Sequence, residues 1–158
     1  MRWMSTPAPY ATLTPDRILD ALESVGLPCD GRMLALNSYE NRVYLVYGDE
    51  QTTSVVVKFY RPERWTDDQI LEEHAFVAEL AEREIPAVAP LVVAGRTLHR
   101  FDGFRFAVYP RRGGRTPELD NPATLEWLGR FIGRLHAVGA QARFAHRPPL
   151  DIATFGDE

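Results

Sequence analysis

Apolar positions recur along this chain with two different periods, and the places where the period changes cut it into short elements. Ile18, Leu19, Leu22 and Val25 fall at helical spacing. Thr14 supplies a capping hydroxyl, Pro15 suits the first turn, Asp16 faces the positive end of the helix dipole, and Gly26 ends the segment. The pattern then becomes that of strands. Arg32–Leu36, Arg42–Tyr47 and Thr53–Tyr60 are short apolar runs separated by the polar turns Asn37–Asn41 and Gly48–Gln51. Two hairpins in succession predict an antiparallel sheet.

Arg61–Trp65 reads as a loop, and Thr66-Asp67-Asp68-Gln69 matches a capping box with Gln69 reaching back to Thr66. The helix it opens runs to about Arg83, with Ile70, Val77, Leu80 and Ala81 on one side. Pro86 and Pro90 end the helical regime. Leu91–Ala94 and Phe104–Tyr109 predict two more strands, joined through Gly95 and Asp102-Gly103. Pro110–Arg115 is a connector, and Pro122–Val138 a second long helix carrying Leu125, Leu128, Ile132 and Leu135. The tail from His146 to Glu158 is polar and shows no element of its own. This order predicts an α+β fold: a protein-kinase-like N-lobe, with a five-stranded antiparallel sheet and a flanking helix, over residues 1–110. Residues 111–158 would form the hinge connector and the first helix of a C-lobe that these residues do not complete.

Hydrophobic residues make up 45% of the 158, enough for a packed core of ordinary domain size. A net charge of −4 offers no basic field to nucleic acid or an anionic membrane. The apolar runs are strand-sized, so none is read as spanning a bilayer. The first residues lack the apolar stretch of a secretory leader, and the expected location is the cytoplasm. Cys29 stands alone and the four histidines show no ligand spacing, so neither a disulfide nor a metal site is expected from these side chains.

The basic residues change the picture. Of 18 lysines and arginines, Lys58 is the only lysine. Where a charge merely has to be solvated the chain uses arginine. At the end of Val55-Val56-Val57 it uses a compact ammonium on a flexible stem, suited to meet a phosphate as a point charge in a narrow cleft. In kinases a lysine on the third strand contacts the ATP phosphates and a glutamate on the next helix steadies it, so less ordering entropy is lost when phosphate arrives. Two acids compete for that part. Glu73 shares the face of Ile70, Val77 and Leu80, whereas Glu72 is expected to face solvent. A carboxylate on a buried stripe needs a cation, which assigns Glu73 to Lys58.

The loop Asn37–Asn41 would cover the phosphates. It contains no glycine, so side-chain donors on Ser38 and Asn41 would replace approaching backbone amides. Val108-Tyr109-Pro110 reads as the hinge, its backbone facing the adenine edge and Tyr109 lying along the base. His146-Arg147-Pro148 resembles the His-Arg-Asp of a kinase catalytic loop, but the proline leaves no carboxylate to act as base, and the segment reads as loop.

Two stretches, Leu36-Asn37-Ser38-Tyr39-Glu40-Asn41-Arg42-Val43-Tyr44 and Val57-Lys58-Phe59-Tyr60-Arg61-Pro62-Glu63-Arg64-Trp65-Thr66, resemble the stress response kinase A family. These are bacterial cytoplasmic serine/threonine protein kinases similar in fold to aminoglycoside and choline phosphotransferases. Gln69–His74, Gly103–Pro110, Gly113-Gly114-Arg115 and Gly129–His136 continue the likeness, which covers residues 12–150. By that resemblance Ser38 would touch ATP from the loop and Lys58 would hold its phosphates. The resemblance also implies magnesium, a protein acceptor, a role in oxidative and envelope stress and in suppressing cell death, and a monomeric state.

The family's His-Gly-Asp-x-His-x-x-Asn, which supplies the base and a magnesium ligand, does not occur in these 158 residues. No catalytic or metal-ligating residue is therefore expected among them, and alone they are expected to be inactive. Two other readings compete. One is a small-molecule phosphotransferase of the aminoglycoside or choline type. The other is an inactive lobe that binds nucleotide weakly or serves as an interaction module, with Leu125, Leu128, Ile132 and Leu135 as a partner surface.

Overall fold

Helix α1, Pro15–Glu23, begins at the cap its sequence predicts: Thr14 Oγ1 accepts the Arg17 amide at 3.4 Å. It ends in a Schellman turn, with Leu27 N–H on the Leu22 carbonyl and Gly26 N–H on the Glu23 carbonyl. Gly26 sits there at φ 82°, a conformation that glycine adopts without a Cβ clash. The computed structural model describes residues 8–152. The chain divides into a strand unit, running up to Thr66 and again over Pro90–Arg111, and a helical unit made of Asp67–Ala89 and the chain from Arg112 onward.

The strand unit holds α1 and five strands: β1 Cys29–Leu36, β2 Arg42–Gly48, β3 Val55–Phe59, β4 His99–Phe101 and β5 Phe104–Pro110. All neighbours are antiparallel, in the order β1-β2-β3-β5-β4. Alternation along the strands gives the sheet two faces. Val46, Val55, Val57, Phe59, Phe104, Phe106 and Val108 point to one, where Ile18, Ala21 and Leu22 of α1 close the core. Phe59 is its centre, with the rings of Tyr44, Phe104 and Phe106 at 6.5, 6.4 and 5.4 Å.

The fourth strand is not where the hydrophobic pattern places it. Leu91–Ala94 forms no strand: Leu91 N–H reaches the Val108 carbonyl at 2.7 Å, and the chain then reverses at Ala94-Gly95, both at positive φ, leaving one isolated bridge between Val93 and Arg96. Pro90 has no amide to extend a ladder and the two-residue reversal removes the length for one. His99–Phe101 takes the place instead, joined to β5 through Asp102-Gly103, with φ of 46° and 83° as a primed hairpin turn demands.

His99 carries a cost. It is buried, its ring lies 5.2 Å from that of Phe106, and Nε2 has no hydrogen-bond partner among the described residues. Burial pushes its pKa down and the nearby Arg96 charge adds to this, against a weaker opposing bond to the Arg96 main chain. An imidazole whose folded pKa is depressed binds more protons when unfolded. Its contribution is therefore complete above the unfolded value of about 6.5 and is lost as pH falls from there through the folded value. The melting temperature should drop between pH 7 and pH 5, and His99→Leu should flatten that drop; an unchanged slope in the variant would refute the assignment.

The helical unit holds α2, Asp67–Glu82, and α3, Pro122–Gly139. Asn121 caps α3 by accepting the Ala123 amide at 2.9 Å, with Pro122 in the first turn. Leu80, Ile85 and Val138 are buried together, flanked by Phe76, Ala87, Phe131 and Leu135. The packed stripe of α3 is thus Phe131, Leu135 and Val138, while Leu125 and Ile132 stay about half exposed at 50% and 48%. On α2, Ile70, His74 and Leu80 are buried, and Ala81, expected on that face, is exposed. The last residues of the tail, from 153 on, lie outside the described residues.

Candidate functional site

On the sheet face opposite the core, cross-strand pairing lines up Leu36, Val43, Lys58 and Ala107 in one row and Leu34, Leu45, Val56 and Tyr109 in the next. Lys58 is the one cation in these two rows and stands on the central strand, between β2 and β5. Its Nζ lies 4.7 Å from the centroid of the Tyr60 ring, a cation–π contact. Tyr60 is itself buried, and its hydroxyl meets that of Tyr109 at 3.2 Å. The ring under the lysine is thereby anchored to β5. Val108, one residue earlier, points into the core, and its carbonyl accepts the Leu91 amide. Pro110 still pairs with Val55, so the chain leaves the sheet only after it.

The turn 37–41 is held by side chains. Ser38 Oγ donates to the Asn41 carbonyl at 2.8 Å, and Asn41 Oδ1 accepts the Arg61 amide at 3.2 Å. The Tyr10 hydroxyl donates to the Glu40 carbonyl at 3.0 Å. Burial pushes the Tyr10 phenol up to about 12, outweighing the nearby Arg42 and Arg61 charges, so it remains a donor throughout the ordinary pH range.

Glu73 lies on α2 in the helical unit, and the partner it shows there is Arg147: the guanidinium Nη2 bonds Glu73 Oε2, while Nε donates to the Gln69 carbonyl at 3.0 Å. Glu72, expected to face solvent, is instead the acceptor for a turn of main chain. The amides of Ala145, His146 and Arg147 all point at its carboxylate, at 3.1 Å for His146 and 2.9 Å for Arg147. Burial works to raise its pKa, but these three donors outweigh it and hold the carboxyl below its usual range. Gln69 also engages this segment: its side-chain amide donates to the His146 carbonyl at 2.9 Å. Residues 145–147 therefore form a strap along α2.

Of the residues singled out from the sequence, Ser38, Lys58, Val108 and Tyr109 fall in the strand unit and Glu73 in the helical one. Tyr60, Glu40 and Arg147 were not anticipated. For Tyr60 the clue was available: two residues after Lys58 along an extended chain is the same face. Among the described residues no group of three or more His, Cys, Asp or Glu is placed to hold a metal ion. Among the described residues no helix is long and apolar enough to cross a membrane.

Comparison with known proteins gives this chain relatives in sequence and in fold. Stress response kinase A of Shigella flexneri is 50% identical over 143 residues, covering 90% of this chain and 43% of that protein. The serine/threonine protein kinase RdoA of Salmonella typhimurium is 47% identical over 146 residues, covering 92% and 44%. The chain thus spans less than half the length of the curated relatives it matches. Among solved structures, an amicoumacin kinase hAmiN in complex with AMP-PNP, Ca2+ and Ami shares the fold, with a TM-score of 0.68 at 24% identity over 82% of this chain and 42% of that one. The phosphotransferase enzyme family model matches residues 33–157, from β1 through α3 and beyond, and the chain belongs to that family.

Proposed function

We propose that this stretch is the nucleotide-holding part of a stress-response serine/threonine protein kinase. The observation that carries the reading is the position of Lys58: the sole lysine of the chain, on the central strand, the one cation in two apolar rows. Leu36, Val43, Val56 and Ala107 offer an apolar floor for a base, Tyr109 borders it at the hinge with Val108 behind, and Ser38 lies in the turn that would close over the phosphates. The names of the relatives support a kinase acting on protein hydroxyls in stress, and the fold neighbour was captured with an ATP analogue. Glu73 would steady the Lys58 ammonium, lowering the entropy lost when phosphate docks.

The described residues do not fit a magnesium site, since no cluster of carboxylates placed to hold a metal is present among them. These residues also lack the family's base, so this stretch holds and orients ATP without transferring its phosphate. Titration of the 158-residue chain with ATP should show binding that Lys58→Met weakens by at least about tenfold, the worth of a charge-assisted contact. Equal binding by the variant would overturn the reading. Labelled phosphate should not pass to a generic protein substrate; transfer abolished by Lys58→Met would show that the chemistry is complete without further residues.

A further inference from the structure

The turn proposed to cover the phosphates has no glycine, yet it is fastened by side chains. Glu40 does most of the fastening. Its Oε1 accepts from Arg64 Nε and its Oε2 from Trp65 Nε1 at 3.4 Å, so each carboxylate oxygen engages a different residue of the connector that follows β3. The two donors are themselves one assembly, the Arg64 guanidinium lying 4.8 Å over the Trp65 ring. Trp65 is tied in turn to β5, its carbonyl accepting from Arg105 Nη1. A third bond between turn and connector runs from Arg61 N–H to Asn41 Oδ1. Glu40 is mostly covered, with a side-chain exposure of 26%.

We propose that Glu40 is the positioning residue of this turn, acting through Arg64 and Trp65. Arg61 follows Lys58 by three residues, so the tether sets the turn that bears Ser38 in register with the end of the strand that bears the lysine. A glycine-rich loop adapts to phosphate by backbone freedom; this one is held ready by its neighbours, and less ordering remains to be done on binding. The inference rests on the nucleotide reading above and deepens it.

The test compares wild type with Glu40→Ala and Glu40→Gln in the 158-residue chain, titrated with ATP and separately with adenosine. Because the turn serves phosphate and not the base, Glu40→Ala should weaken ATP binding about tenfold while leaving adenosine unmoved. Glu40→Gln, which keeps one acceptor oxygen and no charge, should fall between. Arg64→Met added to Glu40→Ala should cost nothing further, since both remove one linkage. Hydrogen exchange at the amides of residues 38–41 should quicken in both Glu40 variants. Unchanged ATP affinity, or an equal loss for ATP and adenosine, overturns the positioning role while Lys58→Met can still show the nucleotide site intact. If the wild-type chain binds neither ligand, the nucleotide reading fails and this role goes with it.

Discussion

Phe59→Ala is expected to remove about 4 kcal/mol from the stability of the strand unit, the upper range for deleting a buried ring. The side chain is fully buried at the end of β3, and three aromatic rings pack around it from β2 and β5. None of those strands can close the space without breaking its own register, so a cavity remains and its lining loses contact on one side. With total stabilities near 5–15 kcal/mol, that loss is a large fraction of the whole. Urea titration followed by tryptophan fluorescence would measure it, since Trp65 reports on the strand unit and Trp127 on the helical one. Phe59→Leu, which keeps an apolar side chain and part of the volume, should cost about 1–2 kcal/mol. A loss below about 1 kcal/mol for Phe59→Ala would mean that the core is not centred there.

Arg147→Ala should release the strap and destabilise the helical unit by about 2 kcal/mol, the range for losing a charged hydrogen-bond partner at a half-covered site. The guanidinium bonds Glu73 with one nitrogen and the Gln69 carbonyl with another, and its side chain is only 24% exposed. Its removal takes that donor from both acceptors. Amides 145–147, which close on Glu72, should exchange faster in the variant. Arg147→Lys should rescue little, because one ammonium cannot present two donors in a planar fork. Stability retained by Lys, or a loss that vanishes in high salt, would point to a loose surface attraction in place of this geometry.

Much of the strand unit was legible because its causes are local. The Thr14 cap, Gly26, the alternation of Val55, Val57 and Phe59, and the lone Lys58 each follow from neighbours within a few positions. The misplaced fourth strand shows the limit. Leu91–Ala94 has the composition of a strand, but the reversal at Ala94-Gly95 and the demands of β5 decide which segment pairs. The two glutamates of α2 show it again. Helical spacing sorted Glu72 outward, and nothing within a turn of it hints that three amides more than seventy residues on would claim its carboxylate. The Tyr60–Trp65 run marked the family likeness, yet its work on Glu40 is visible only once β1, β2 and β3 stand side by side.

The course of the backbone between the two units has a consequence for synthesis. It passes from one to the other after Thr66, Ala89 and Arg111, so the units are interleaved and no single proteolytic cut frees either. Once α2 has left the ribosome and before α3 follows it, Phe76, Leu80 and Ile85 lack their α3 counterparts. A nascent chain halted at that point would present a sticky apolar helix, making it a natural client for chaperones until Phe131, Leu135 and Val138 arrive.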